Sequence, residues 1–331
     1  MVSFRVFGRM CWTLLGATLV ACGAPSSLQP VLPQSTAGVV TGSAASDQES
    51  SMRVAAPLAI QAAASHVLFV SNELNNTIAV LDATSGAPVR VISGGGLDGP
   101  VGMAVVYGGS EFPFPILYVC NTGNNTISRF NANTGKAIGK TGATVGGALS
   151  HPRGLAYLSP FLYIANDGNS TIAVTDPTCG TDGCFSSPSV ITGGGLEQPQ
   201  GLKIAGGNVY TANLANNTVS IFNATTFAPL GVIANGAIES PEGVALAAGK
   251  LFVANSASNQ ISIFSEKTEK PLGVLSGNGL ADPAGMTEGG GVVYVVDHVT
   301  NELSLFNAAT GQAMGTLSAN TLDGPVDAYY Y

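Results

Sequence analysis

Short apolar runs, each closed by a single amide or acid, recur six times along the chain. They read LFVSNELNNTIAVLDATSG, LYVCNTGNNTISRFNANTG, LYIANDGNSTIAVTDPTCG, VYTANLANNTVSIFNATTF, LFVANSASNQISIFSEKTE and VYVVDHVTNELSLFNAATG. Each is an apolar run, a polar turn, a run in which apolar and polar residues alternate, and a Thr-Gly-like turn. The closing residues are Asn72, Asn121, Asn166, Asn213, Asn255 and Asp297, spaced by 49, 45, 47, 42 and 42 residues. A second signature, Pro-x-Gly-apolar, centres on Gly102, Gly154, Gly201, Gly243 and Gly285, with Asp327 as its last, variant copy. Runs such as LGVIAN and LGVLSG fall between the two.

Each unit therefore holds four β-runs: A at Pro-x-Gly, B ending on Asn, C alternating, and D before glycine-rich sequence. Val, Ile, Tyr, Phe and Thr fill them, and Gly, Asn, Asp and Pro separate them. Repeats this short leave no room for crossover helices, so the sheets are antiparallel meanders. One such sheet cannot bury both faces, whereas six packed radially can. The predicted fold is all-β: a six-bladed β-propeller with four-stranded blades. The repeats begin on a B strand at His66 and end on an A strand, where LDGPVDAYY at 322–330 echoes LDGPVGMAV at 97–105. The tail strand is thus expected to complete the first blade and close the ring, removing its open ends.

The first residues follow other rules. Arg5 and Arg9 precede an apolar run over residues 10–21, the layout of a secretory signal and too short for a comfortable membrane span. The run ends Leu-Val-Ala-Cys22, which resembles the lipobox of bacterial lipoproteins. That resemblance implies cleavage before Cys22, lipidation of Cys22 and, with Gly23 following, sorting to the outer membrane. Residues 23–56 are rich in Ser, Ala, Thr, Gln, Gly and Pro and read as a tether. The expected divisions are a signal over 1–21, lipidated Cys22 with its tether over 22–56, and the propeller over 57–331.

Charge narrows the partners. The chain has 12 Lys+Arg against 20 Asp+Glu, a net −8, and only 10% charged residues. Nucleic acid is excluded as a partner by this shortage of cations. Anionic lipid would repel the domain, so an acyl anchor is the expected membrane contact. Cys179 and Cys184 flank Gly-Thr-Asp-Gly and are expected to form a local disulfide, while Cys120 reads as a buried hydrophobe.

Strand direction alternates in a meander, so the residue between Pro and Gly shares a face with the Asn/Asp anchors at the mouth of the central channel. Arg153, Gln200 and Glu242 occupy that position in consecutive blades, where other blades carry Val or Ala. With Asp167 and Asp297 they are the candidate ligand face. Arg153 suits a carboxylate, or an ion pair with Glu242 or Asp167. The anchor ring has two readings: oxygen ligands for a hard cation such as Ca²⁺, or caps on each B–C turn. Repetition in every blade favours caps, and no cofactor is expected. GGGL at 94–97 and 193–196 lacks the following helix that phosphate binding needs. Tyr329, Tyr330 and Tyr331 are expected to alternate between buried and exposed.

Pairs such as LFVAN with NQISIF and VYTAN with NNTVSIF make residues 66–331 similar to the YVTN and NHL repeat families, propellers of bacterial secreted and surface proteins. The resemblance implies the fold and leaves activity open. It leads to an envelope-anchored, non-enzymatic binding or assembly scaffold, with an envelope or extracellular protein as partner. The alternative is a hydrolase or lyase resembling lactonases and gluconolactonases, whose metal cage would fall loosely on Glu242, Asn166, Asn213 and Asp297. Quinoprotein-like cofactor docking lacks tryptophans, since Trp12, the sole Trp, lies in the signal.

Overall fold

A computed structural model describes residues 66–107, 113–138, 149–177 and 189–331. Cys22, Cys179 and Cys184 lie outside them, as do the signal and tether. The described residues form six antiparallel sheets.

The A strands are Pro325–Tyr330 in blade 1, then Pro100–Val106, Pro152–Leu158, Pro199–Ala205, Pro241–Ala247 and Pro283–Gly289 in blades 2 to 6. Blade 1 has the order A-B-C-D with Pro325–Tyr330 paired to Val67–Asn72, so the tail strand completes the first sheet. Blades 3 to 6 have the same order within continuous sequence. Among the described residues blade 2 has three strands, with a single bridge from Phe130 to Ala137 at its outer edge.

Closure is also visible in the packing. There are six apolar clusters, each built on the contact of two adjacent blades, with Val326 of blade 1 also joining the one between blades 2 and 3. An open row of six blades would have five interfaces. The sixth joins Leu68, Val70 and Leu81 of blade 1 to Val296 and Leu303 of blade 6. The C strands of blades 2, 4, 5 and 6 place Phe130, Phe222, Phe264 and Phe306 in these clusters, each at most 1% exposed. Burying such a side chain contributes about 1.5–3 kcal/mol. The GGGL loops serve this packing. Gly95 and Gly194 have φ of 60° and 59°, and a Cβ there would meet the Phe130 or Phe222 ring at 2.5 Å. These glycines are required by close approach.

D strands lie outermost and expose Val91, Leu230, Leu272 and Met314. At the opposite edge the A strands meet around the channel. A Cβ on Gly102 would collide with the Arg153 carbonyl, one on Gly154 with that of Gln200, and one on Gly243 with that of Ala284. The recurrent glycine is therefore what lets inner strands touch. In the sixth copy Asp327 takes its place, and its carboxylate spans to blade 2, accepting a hydrogen bond from the Met103 amide at 3.3 Å.

The closing tyrosines differ from expectation. All three are partly exposed, so burial does not alternate. Tyr330 stacks on His66 and Tyr294, with centroids at 5.1 and 5.9 Å, and Tyr331 leans on Phe69 and Tyr107. At the end of the last strand, aromatic neighbours replace strict in-and-out alternation. Cys120 is buried, and burial pushes its thiol pKa upward.

Candidate functional site

The anchor ring is built into the blades. All six side chains are fully buried. In each blade an anchor oxygen accepts the amide of the loop entering that blade: Asn72 from Asp323, Asn121 from Asp98, Asn166 from Ser150, Asn213 from Glu197, and Asn255 from Glu239, at 3.1–3.3 Å. The Asn Nδ2 groups donate into their own hairpins, as from Asn213 to Thr218 and Ser220 at 3.0 and 2.9 Å. One short side chain thus ties the D–A loop to the B–C turn, which suits Asn. In blade 6 Asp297 accepts from Ala281 at 2.6 Å and from Thr300 at 3.2 Å. These oxygens face amide donors.

A second repeated bond joins neighbouring blades. Each B–C turn has a left-handed residue: Asn76, Asn125, Ser170, Asn217, Asn259 and Asn301, at φ of 55–57°. Five of them accept the amide of the residue before the next blade's Pro. Asn76 takes Gly99 at 2.7 Å, Asn125 takes His151 at 2.6 Å, Ser170 takes Gln198 at 3.1 Å, Asn217 takes Ser240 at 2.7 Å and Asn301 takes Gly324 at 2.8 Å. These five donors have φ between 45° and 58°. Asp282, the sixth, has φ 158°, and no such bond joins it to Asn259. The latch is open only at the junction of blades 5 and 6.

Beside that junction the mouth is polar. Arg153, Gln200 and Glu242 all line one cavity at the channel, with about 420 Å³ of empty space including its open mouth. Gln200 is 4% exposed and donates to Asp167 Oδ1 at 2.8 Å. The structure therefore brings together four of the five sequence candidates and separates Asp297 from them. Arg153 makes no ion pair among the described residues, and its buried Nε has no hydrogen-bond partner. Burial raises the Glu242 carboxyl. Contact with Ser256 opposes this, the charge of Asp282 adds to it, and Arg153 and His298 oppose it. Burial likewise raises Asp282, partly offset by His298. His298 Nδ1 lies 3.3 Å from the Pro325 carbonyl.

Three members were missed by the sequence reading. Lys203 and Asp327 line the same cavity. Burial raises Asp327 and the nearby charge of Lys203 counteracts it. Asp282 is the third. Lys203 did carry a signal, because other blades hold Ala104, Ala156, Ala245 or Thr287 two places after the glycine. Among the described residues, no group of three or more His, Cys, Asp or Glu is arranged to hold a metal ion.

No family model matches the chain, and no curated protein matches it. Among solved structures, a chain of a nidogen/laminin complex superimposes with a TM-score of 0.65 at 16% identity, covering 80% of this chain and 98% of that one. A chain of the computationally designed Ika8 protein aligns with a TM-score of 0.47 at 16% identity, over 76% of this chain and 73% of that one. At such identity, the first likeness establishes one thing beyond the sheets themselves: this chain has the fold of a known β-propeller.

Proposed function

We propose that the chain is a lipid-anchored bacterial envelope propeller of the YVTN/NHL type, working as a non-enzymatic binding or assembly scaffold. Its contact surface is the channel mouth, and its partner is an envelope or extracellular protein. The observation that carries this reading is where the repeat departs from itself. Anchors and latches consume the polar side chains that recur, whereas Arg153, Glu242 and Asp282 break the pattern together and are held in place by a rigid ring. Loop ends on a rigid scaffold are where recognition concentrates. A neighbour taken from a protein–protein complex is compatible with this role.

Cys22→Ser should release the protein from membranes, and continued membrane association would reject the anchor. For the face, Arg153→Ala with Glu242→Ala should abolish site-directed crosslinking from the mouth to its envelope partner while the ring still unfolds in one cooperative transition. Unchanged crosslinking would move the contact surface elsewhere.

A second reading has one observation in its favour: burial raises the carboxyl of Glu242, the direction a general acid needs. Hydrolysis of a lactone or aryl ester that disappears in Glu242→Gln would establish an enzyme in place of a scaffold.

A further inference from the structure

The cavity at the mouth separates charge by side. Its cations, Arg153 and Lys203, stand on the adjacent blades 3 and 4. Its carboxylates, Glu242 and Asp327, stand on blades 5 and 1, and the charge of Asp282, where blade 5 hands over to blade 6, acts on Glu242 from outside the lining. In a sixfold ring blade 4 is opposite blade 1, so Lys203 faces Asp327 across the channel. No ion pair among the described residues collapses these groups onto one another, although each side acts electrostatically on the other. The rest of the lining is largely apolar and includes Val101, Met286 and Val326.

We propose that the channel mouth binds a small zwitterion, a free α-amino acid with an aliphatic side chain. Its carboxylate is held by Arg153 and Lys203, and its ammonium group by Glu242 and Asp327. This rests on the channel mouth being the ligand face. The unpartnered Nε of Arg153 shows a guanidinium whose donors the fold itself does not use up. A carboxylate meets it with charge-assisted geometry that a neutral group cannot match. A simple anion would leave the carboxylate side unpaired in a partly desolvated cavity, and a simple amine would do the same to the cation side. A dipolar ligand satisfies both, and the apolar wall receives its side chain. The glycine contacts between inner strands keep the shaft narrow, so the ligand is small.

Calorimetric titration of the purified protein with L-leucine, isoamylamine and isocaproate near neutral pH tests this. Leucine should bind saturably, and each half-molecule on the order of tenfold more weakly or worse. Arg153→Met and Glu242→Gln should each weaken leucine by a similar factor, with unfolding curves confirming that the ring is intact. Equal binding of leucine and either half-molecule would overturn the proposal, as would no leucine binding at millimolar concentration. If crosslinking to a partner persists while leucine fails to bind, the zwitterion is wrong and the face stands. If both fail, the face itself is wrong.

Discussion

The junction between blades 4 and 5 and the one between blades 5 and 6 use nearly the same residues. Asn217 and Asn259 both adopt left-handed backbone, and both B strands end on a buried anchor. Asn217 accepts the Ser240 amide at 2.7 Å, whereas Asn259 has no bond to Asp282. Apolar packing holds both interfaces, through Val244 and Val253 in one and Phe252 and Met286 in the other. The second interface therefore does not need its latch. A repeat that is over-determined by packing can give up a polar contact, and the residue whose amide makes no latch, Asp282, instead sets its carboxylate near Glu242 and His298.

The strongest way to break the comparison is to remove the packing of the latched junction, where Phe264 lies between blades 4 and 5. Phe264→Ala should cost about 3–5 kcal/mol in denaturant unfolding. Leu272→Ala on the exposed outer strand of the same blade should stay within about 0.5 kcal/mol. A cost of similar size at both positions would mean that the interblade clusters are not the main source of stability.

A finer test separates the two latches. Glycine tolerates the left-handed backbone, so Asn217→Gly removes mainly the hydrogen bond and should cost about 1 kcal/mol. Asn259→Gly removes no such bond and should be close to neutral. Equal losses would show that Asn259 is latched in solution.

The smallest expected effect is a pH dependence at Asp327. Burial raises this carboxyl above its ordinary value, so the folded state holds its proton more tightly than the unfolded chain does. Its contribution to stability is therefore most favourable below the ordinary carboxylate range and is lost as pH rises through the elevated folded pKa. Asp327→Asn should raise the melting temperature near neutral pH and have little effect in acid. A stabilisation that grows toward acid would reverse the sign and reject the account.

Much of this was written in the repeat itself. Anchors, strand order, tail closure and the polar entries at 153, 200 and 242 follow from aligning the units. What alignment did not supply was depth and pairing. Asn213 and Asp297 look equally accessible as letters, yet both are buried and occupied by loop amides. Asp282 sits at a position that holds Gly, His, Gln or Ser elsewhere, so its type did not stand out, and only its backbone angle does. The link between Lys203 and Asp327 joins residues in different blades, which no single unit contains.

The ring's first described strand starts at Val67, beside the tail's last residue, and Val67 and Tyr331 exchange backbone hydrogen bonds at 2.8 Å. B strands run toward the mouth, so this last pair of backbone bonds fastens the seam of the ring at the face away from the opening, where a bound ligand would not disturb it.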